Sequence, residues 1–250
     1  MSNPSITGDA LDVPPVPPAP KVSWWEDYVD IFYAPASVFA RRIDSGFFVP
    51  LLVVTVLIGL IGLANAGVMQ PIMDAEFTRS TAAAMRKNPQ ITADMMEKGR
   101  GIGEKIVKIG GFIFPPIGIL CTGLFLWIVG KFVDAKQTLG AAMMVTAYSY
   151  VVKVIEGISG GVQGLVLDPA TLNGRLRISL GVGRFLDPDT ASPVLLAMVG
   201  RIDVFTIWLT ILLAIGLSVT GKIPRSKAAV AAVILWVLGA LPSVLGALRQ

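Results

Sequence analysis

No histidine occurs anywhere in the 250-residue chain, and Cys121 is its only cysteine. The missing histidines remove the usual zinc ligand set, haem ligation through imidazole and His-based acid–base chemistry. One thiol cannot close an intramolecular disulfide, and Cys121, placed inside an apolar run, reads as a small packing residue. Charge is scarce as well: 15% of residues are charged, against about 25% in ordinary soluble domains. The net charge is only +4. No basic stripe with interleaved aromatics is present, so nucleic acid is not an expected partner, and no cofactor or metal is expected either.

The missing charge is concentrated. Phe47–Met69, Ile109–Gly130, Val204–Gly221 and Ala228–Leu248 contain no charged side chain, and Gln137–Leu167 is interrupted only by Lys153 and Glu156. A spanning helix needs roughly 20 mostly apolar residues. The expected fold is therefore all-α: a polytopic membrane helix bundle with five transmembrane helices, at about 47–69, 109–130, 137–158, 203–221 and 228–248. Two inserts outside the membrane, 70–108 and 168–200, separate them. The 26 glycines suit close helix approach in lipid.

Ahead of the first span the chain divides in two. Residues 1–21 are polar and Pro-rich, which predicts a disordered, extended tail. They do not resemble a secretory signal, so the run from Phe47 is expected to act as an uncleaved insertion signal. Residues 22–46 predict amphipathic interfacial helices. Trp24, Trp25, Tyr28, Ile31 and Phe32 recur at helical spacing, with Glu26, Asp27 and Asp30 on the other face. Such a helix suits the membrane interface, or a cap packed on the bundle. Pro35 fits the first turn of a second helix ending in Arg41-Arg42.

Within the inserts, Asn88-Pro89 splits 70–108 into two helical arms, a hairpin starting its second arm at Thr92. Met69, Met73, Met85, Met95 and Met96 offer an adaptable apolar face for self-packing or for a partner. Gly99-Arg-Gly-Ile-Gly103 follows no strand and matches neither common phosphate-loop spacing. Alternation from Leu176 to Val182 predicts a short strand or hairpin in 168–200. Pro115-Pro116 is expected to kink or break the second span. Lys153 and Glu156, one turn apart, either end the third span at the headgroups or form a pair inside it. Asp203 suits the start of the fourth span.

The short turns 131–137 and 221–227 share a side with the N-terminus. They carry five basic residues against Asp134, which predicts a cytoplasmic N-terminus. A bacterial chain of this kind would lie in the inner membrane.

Three short elements carry a family resemblance. Asp30-Ile-Phe-Tyr-Ala-Pro35 is similar to a D-L-Y-G-P element, with one residue extra and Ala34 for Gly. Ala147-Tyr-Ser-Tyr150 is similar to a G-Y-S-type element. Asp203-Val-Phe-Thr-Ile-Trp208, followed by Ile215-Gly-Leu217 and a basic turn, resembles a fourth and fifth span. In their order and spacing the chain resembles the Yip1 domain family, from about Trp24 to Leu248. The resemblance implies five spans behind a cytosolic N-terminal segment. Eukaryotic members of that family are linked to Rab GTPases and vesicle traffic, while bacterial-type members bring no agreed activity.

The functional expectation is a non-enzymatic membrane scaffold or adaptor that contacts the bilayer and a membrane-protein partner or a second copy of itself. Its candidate residues are Trp24, Trp25, Tyr28, Phe32, Pro35, Tyr148, Tyr150 and Asp203. The alternative is a small transporter or channel subunit using Lys153, Glu156 and the Pro115-Pro116 break.

Overall fold

The computed structural model describes residues 23–88 and 90–248. The tail expected over 1–21 lies outside the described residues, as do Arg249 and Gln250. Each charge-free run becomes helix, because a buried backbone in lipid must satisfy its own hydrogen bonds. The first pair is short: α1 (Asp27–Tyr33) and α2 (Pro35–Arg41). Then come α3 (Phe48–Ala64), α4 (Gln70–Lys87), α5 (Ala93–Phe132), α6 (Leu139–Ser149) and α7 (Val151–Val166). The order ends with α8 (Pro193–Val199), α9 (Val204–Gly221), α10 (Arg225–Leu238) and α11 (Leu241–Leu248).

Four stretches are long and apolar enough to cross a membrane: Ile109–Phe132, Leu139–Val166, Val204–Gly221 and Arg225–Leu248. Helix α3 is equally apolar and has 17 residues, the short end of what spans a bilayer. Helices α6 and α7 form one stretch with a joint at Tyr150.

Helix α6 is the central helix. Ala141, Ala142, Met144, Val145, Thr146, Ala147, Tyr148 and Ser149 are all buried. Its small residues let neighbours close in. A Cβ at Gly216 of α9 would sit 2.2 Å from the Val145 side chain, so α9 rests on that glycine's backbone. Thr138 caps α6 by accepting from the Ala141 N–H at 3.1 Å, as Thr92 caps α5.

The two short turns are tied together. Lys136 N–H donates to the Gly221 carbonyl at 2.9 Å. Buried Gln137 donates to Thr220 Oγ1 at 2.6 Å, and Lys227 pairs with Asp134 at 3.1 Å. Asp134 (φ 61°) and Lys222 (φ 53°) adopt left-handed backbone there, a strain that non-Gly residues accept only where the surroundings fix them.

Three expectations change. Pro115 and Pro116 do not break the second span, since α5 runs unbroken from Ala93 to Phe132. Proline withdraws one donor and presses on the carbonyl one turn earlier; a long helix packed among others absorbs two such losses. For the same reason the second arm of the 70–108 hairpin is not a separate helix, but the start of α5. It meets α4 through an Arg100–Asp74 ion pair and the Arg100 guanidinium 5.3 Å over the Phe77 ring. Finally, the described residues of 168–200 contain no strand. They form 3-10 turns at Pro169–Thr171, Arg175–Ile178 and Val182–Phe185 before α8. Only Gly181 finds a β partner, Asp203; an alternating pattern without an edge to pair with does not make a strand.

Candidate functional site

Pro35 opens α2 at its first position, where its fixed φ suits a helix start and its missing N–H costs nothing. That places α2 directly after α1 as a tight helical pair. Helix α2 packs on α9 and α1 touches α6. The Phe32 ring lies 5.2 Å from the Trp208 ring of α9, and the Tyr28 ring 5.4 Å from the Tyr148 ring of α6. Ile31, Val38 and Phe39 are fully buried beneath the pair.

Asp27 is fully buried among these apolar groups. A lone carboxylate there would be costly. It is not alone. Arg41 Nε donates to Oδ1 at 2.7 Å, Arg42 Nε to Oδ2 at 2.6 Å, and the Tyr148 hydroxyl to Oδ2 at 3.2 Å. Arg41 also reaches Asp30 at 2.6 Å. Two carboxylates and two guanidiniums make a neutral cluster, and each carboxylate is met by charged donors. This is the arrangement that burial of charge requires.

The cluster also lies deep along the bundle. Tyr148 sits roughly ten residues, about 15 Å, beyond Thr138, and Trp208 about 20 Å before Gly221, at a rise of 1.5 Å per residue. The helical pair thus grips the flank of α6 and α9, well in from the tied turns.

Burial pushes the Tyr28 hydroxyl well above its ordinary pKa, and the neighbouring Tyr148 and Asp27 add to the shift. It stays protonated, and this buried hydroxyl has no hydrogen-bond partner among the described residues.

The expected aromatic face is partly rearranged. Tyr28, Ile31 and Phe32 face inward as their spacing indicated, but Asp27 joins them. Trp24 and Trp25 stand outward in the turn before α1, 54% and 56% exposed. The reason is non-local: the counter-charges for Asp27 come from the far end of the next helix.

The other sequence candidates lie elsewhere. At the α6–α7 joint, the Tyr150 hydroxyl meets Thr122 Oγ1 at 2.8 Å. Lys153 and Glu156 pair with each other at 2.5 Å along α7, both partly exposed. Asp203 caps α9 by accepting from the Phe205 N–H at 2.9 Å. Sequence reasoning missed Asp27, Arg41 and Arg42 as site residues. The signal was present as two acids one turn apart, followed by an Arg pair closing the next helix. Among the described residues no group of His, Cys, Asp or Glu is placed to hold a metal.

The Yip1 domain model matches residues 29–246. The chain belongs to the Yip1 domain family. No curated protein and no solved structure matches it. In this Yip1 domain, the Asp30–Pro35 element forms the α1–α2 junction and the Ala147–Tyr150 element forms the end of α6. The two are brought together through Asp27, Arg41 and Tyr148. The apolar helices make it an integral multi-pass membrane protein in contact with lipid.

Proposed function

We propose that this Yip1 domain protein is a non-enzymatic scaffold or adaptor, acting in membrane organisation, trafficking or the assembly of membrane partners. One observation carries the reading. The α1–α2 pair is fixed to the bundle through its charged inner face, while Trp24, Trp25 and Tyr33 (83% exposed) project outward. Ordered aromatic side chains offer large contact area at low entropic cost, which suits binding to a partner helix or to the interface. In crosslinked native membranes, the Trp24→Ala/Trp25→Ala variant recovers less partner than the unaltered chain; equal recovery overturns this reading.

The tied basic turns support a cytoplasmic N-terminus. In a Cys121→Ser background, a single cysteine at Ser226 is then labelled by an impermeant maleimide only after permeabilisation.

A second reading, a small transporter or channel subunit, draws support from the Lys153–Glu156 pair beside the Tyr150 joint. It requires that Lys153→Ala and Glu156→Ala alter solute flux in liposomes.

A further inference from the structure

At the end of the bundle away from the tied turns, a cleft of about 900 Å³ opens between α4, residues 174–197 and the last turns of α11. Its lining is strongly basic. Arg79, Arg86, Lys87, Arg175 and Arg177 face it, against the carboxylates of Glu76 and Asp189 alone. Both carboxylates are engaged within the wall: Arg79 pairs with Asp189 at 2.9 Å and Arg175 with Glu76 at 3.1 Å. Arg177 has a carboxylate partner too, Asp187 at 3.9 Å just outside the lining, so the positive excess is centred on the last turn of α4, which carries Arg86.

The other wall is apolar and belongs to the membrane-spanning part. Ser243 and Ala247 close the cleft from α11, the end of the apolar stretch Arg225–Leu248. The exposed Leu245 and Leu248 of α11 lie outside this lining, while Leu196 and Ala197 of α8 belong to it. Helix α8 packs on α11 and turns Leu195 and Met198 outward. The cleft thus has a basic back and an apolar side that includes Leu196, Ala197 and Ala247, at the level where the last helix ends.

We propose that this cleft is a headgroup site for an anionic phospholipid. Guanidinium groups bind phosphate oxygens through paired, charge-assisted hydrogen bonds, and basic pockets beside membrane helices attract acidic lipids. The acyl chains lie along the apolar side of the cleft. A free phosphate would use the basic back and leave that apolar side unused.

The test uses the full chain in nonionic detergent, with native mass spectrometry of bound lipid. Phosphatidylglycerol and phosphatidylcholine of matched chains are the probes, and inorganic phosphate is the competitor. Phosphatidylglycerol is retained in preference to phosphatidylcholine. Arg86→Ala weakens that retention about fivefold, as expected for one basic residue at an acidic lipid surface. Arg86→Lys restores it in part, the charge without the paired fork, and Lys98→Ala, which removes an exposed ion pair outside the cleft lining, leaves it unchanged. Thermal midpoints identical to the unaltered chain show that the fold is intact. Equal retention of the two lipids overturns the proposal, as does an unchanged affinity in Arg86→Glu. Displacement of the lipid by millimolar inorganic phosphate also overturns it, in favour of a soluble anion.

Discussion

Two regions of this molecule use the same chemistry in opposite settings. On the N-terminal helical pair, Asp27 and Asp30 meet Arg41 and Arg42 in a site where Asp27 is fully buried. At the far end, Arg79–Asp189 and Arg175–Glu76 join α4 to the 173–189 turns in largely open surroundings. Identical ion types therefore carry unequal weight. The buried cluster fixes one docking geometry, because any slip strands a charge in an apolar place. The exposed pairs are screened by water and salt and can open at little cost. A fixed pair presenting aromatics and an adaptable cleft suit different partners.

Removing the central carboxylate breaks this comparison most sharply. Asp27→Ala removes the buried carboxylate that Arg41, Arg42 and Tyr148 share, and it costs roughly 3 kcal/mol, the low end for a broken buried pair because Arg41 keeps Asp30. Unfolding in mixed micelles measures the loss, and limited proteolysis at the α1–α2 junction shows release of the pair. The triple change Asp27→Leu, Arg41→Met and Arg42→Met costs less than Asp27→Ala alone, because apolar groups of similar size replace the buried carboxylate and both its guanidinium partners, and the acid left over, Asp30, is 39% exposed. If the triple variant is worse, the cluster's contribution is attraction rather than relief of stranded charge.

The two tyrosines in ring contact, Tyr28 and Tyr148, sharpen the same point. Tyr148→Phe removes a donor to Asp27 and costs about 1 kcal/mol by the same micelle unfolding measurement. Tyr28→Phe removes a buried hydroxyl that has no partner among the described residues. It leaves stability unchanged or slightly raised, since an unsatisfied buried hydroxyl is itself a penalty. Equal losses from both changes would show that the hydroxyls share one network.

What the sequence discloses divides along the same line, between local and distant causes. Apolar run length is a local property, and it foretold the spanning helices, just as Thr92 and Asp203 foretold helix starts. Tyr28, Phe32 and Tyr148 were legible as candidates from spacing and from short family-like elements. Burial of Asp27 was not legible from its own helix, where its neighbours Glu26 and Asp30 suggest a wet face; its partners sit 14 and 15 positions away. The continuity of α5 through Pro115-Pro116 and the failure of 176–182 to pair as strand depend likewise on neighbours. Gly181 shows how tight such dependence is. A Cβ there would stand 2.4 Å from the Ile202 carbonyl oxygen, so the glycine is set by a backbone some twenty residues on.

At the exposed end the effects shrink. Arg175→Ala changes stability by no more than about 1 kcal/mol, and less in high salt, when unfolding is compared at two ionic strengths.

The smallest effect is a pH response. The hydrogen bonds from Arg79, then Asn173, hold the Asp189 carboxyl below the usual carboxylate range. A carboxylate with a depressed folded-state pKa contributes stability above its unfolded value, near about 3.9. That contribution disappears as pH falls through the lower folded value. Hydrogen exchange across 186–192, corrected for intrinsic rates, is therefore flat from pH 8 to 5 and rises only in stronger acid. Asp189→Asn removes the acid step, because its amide does not titrate. A rise already between pH 7 and 5 would assign the junction to some other group, and would make the exposed end more than a screened, surface-type contact.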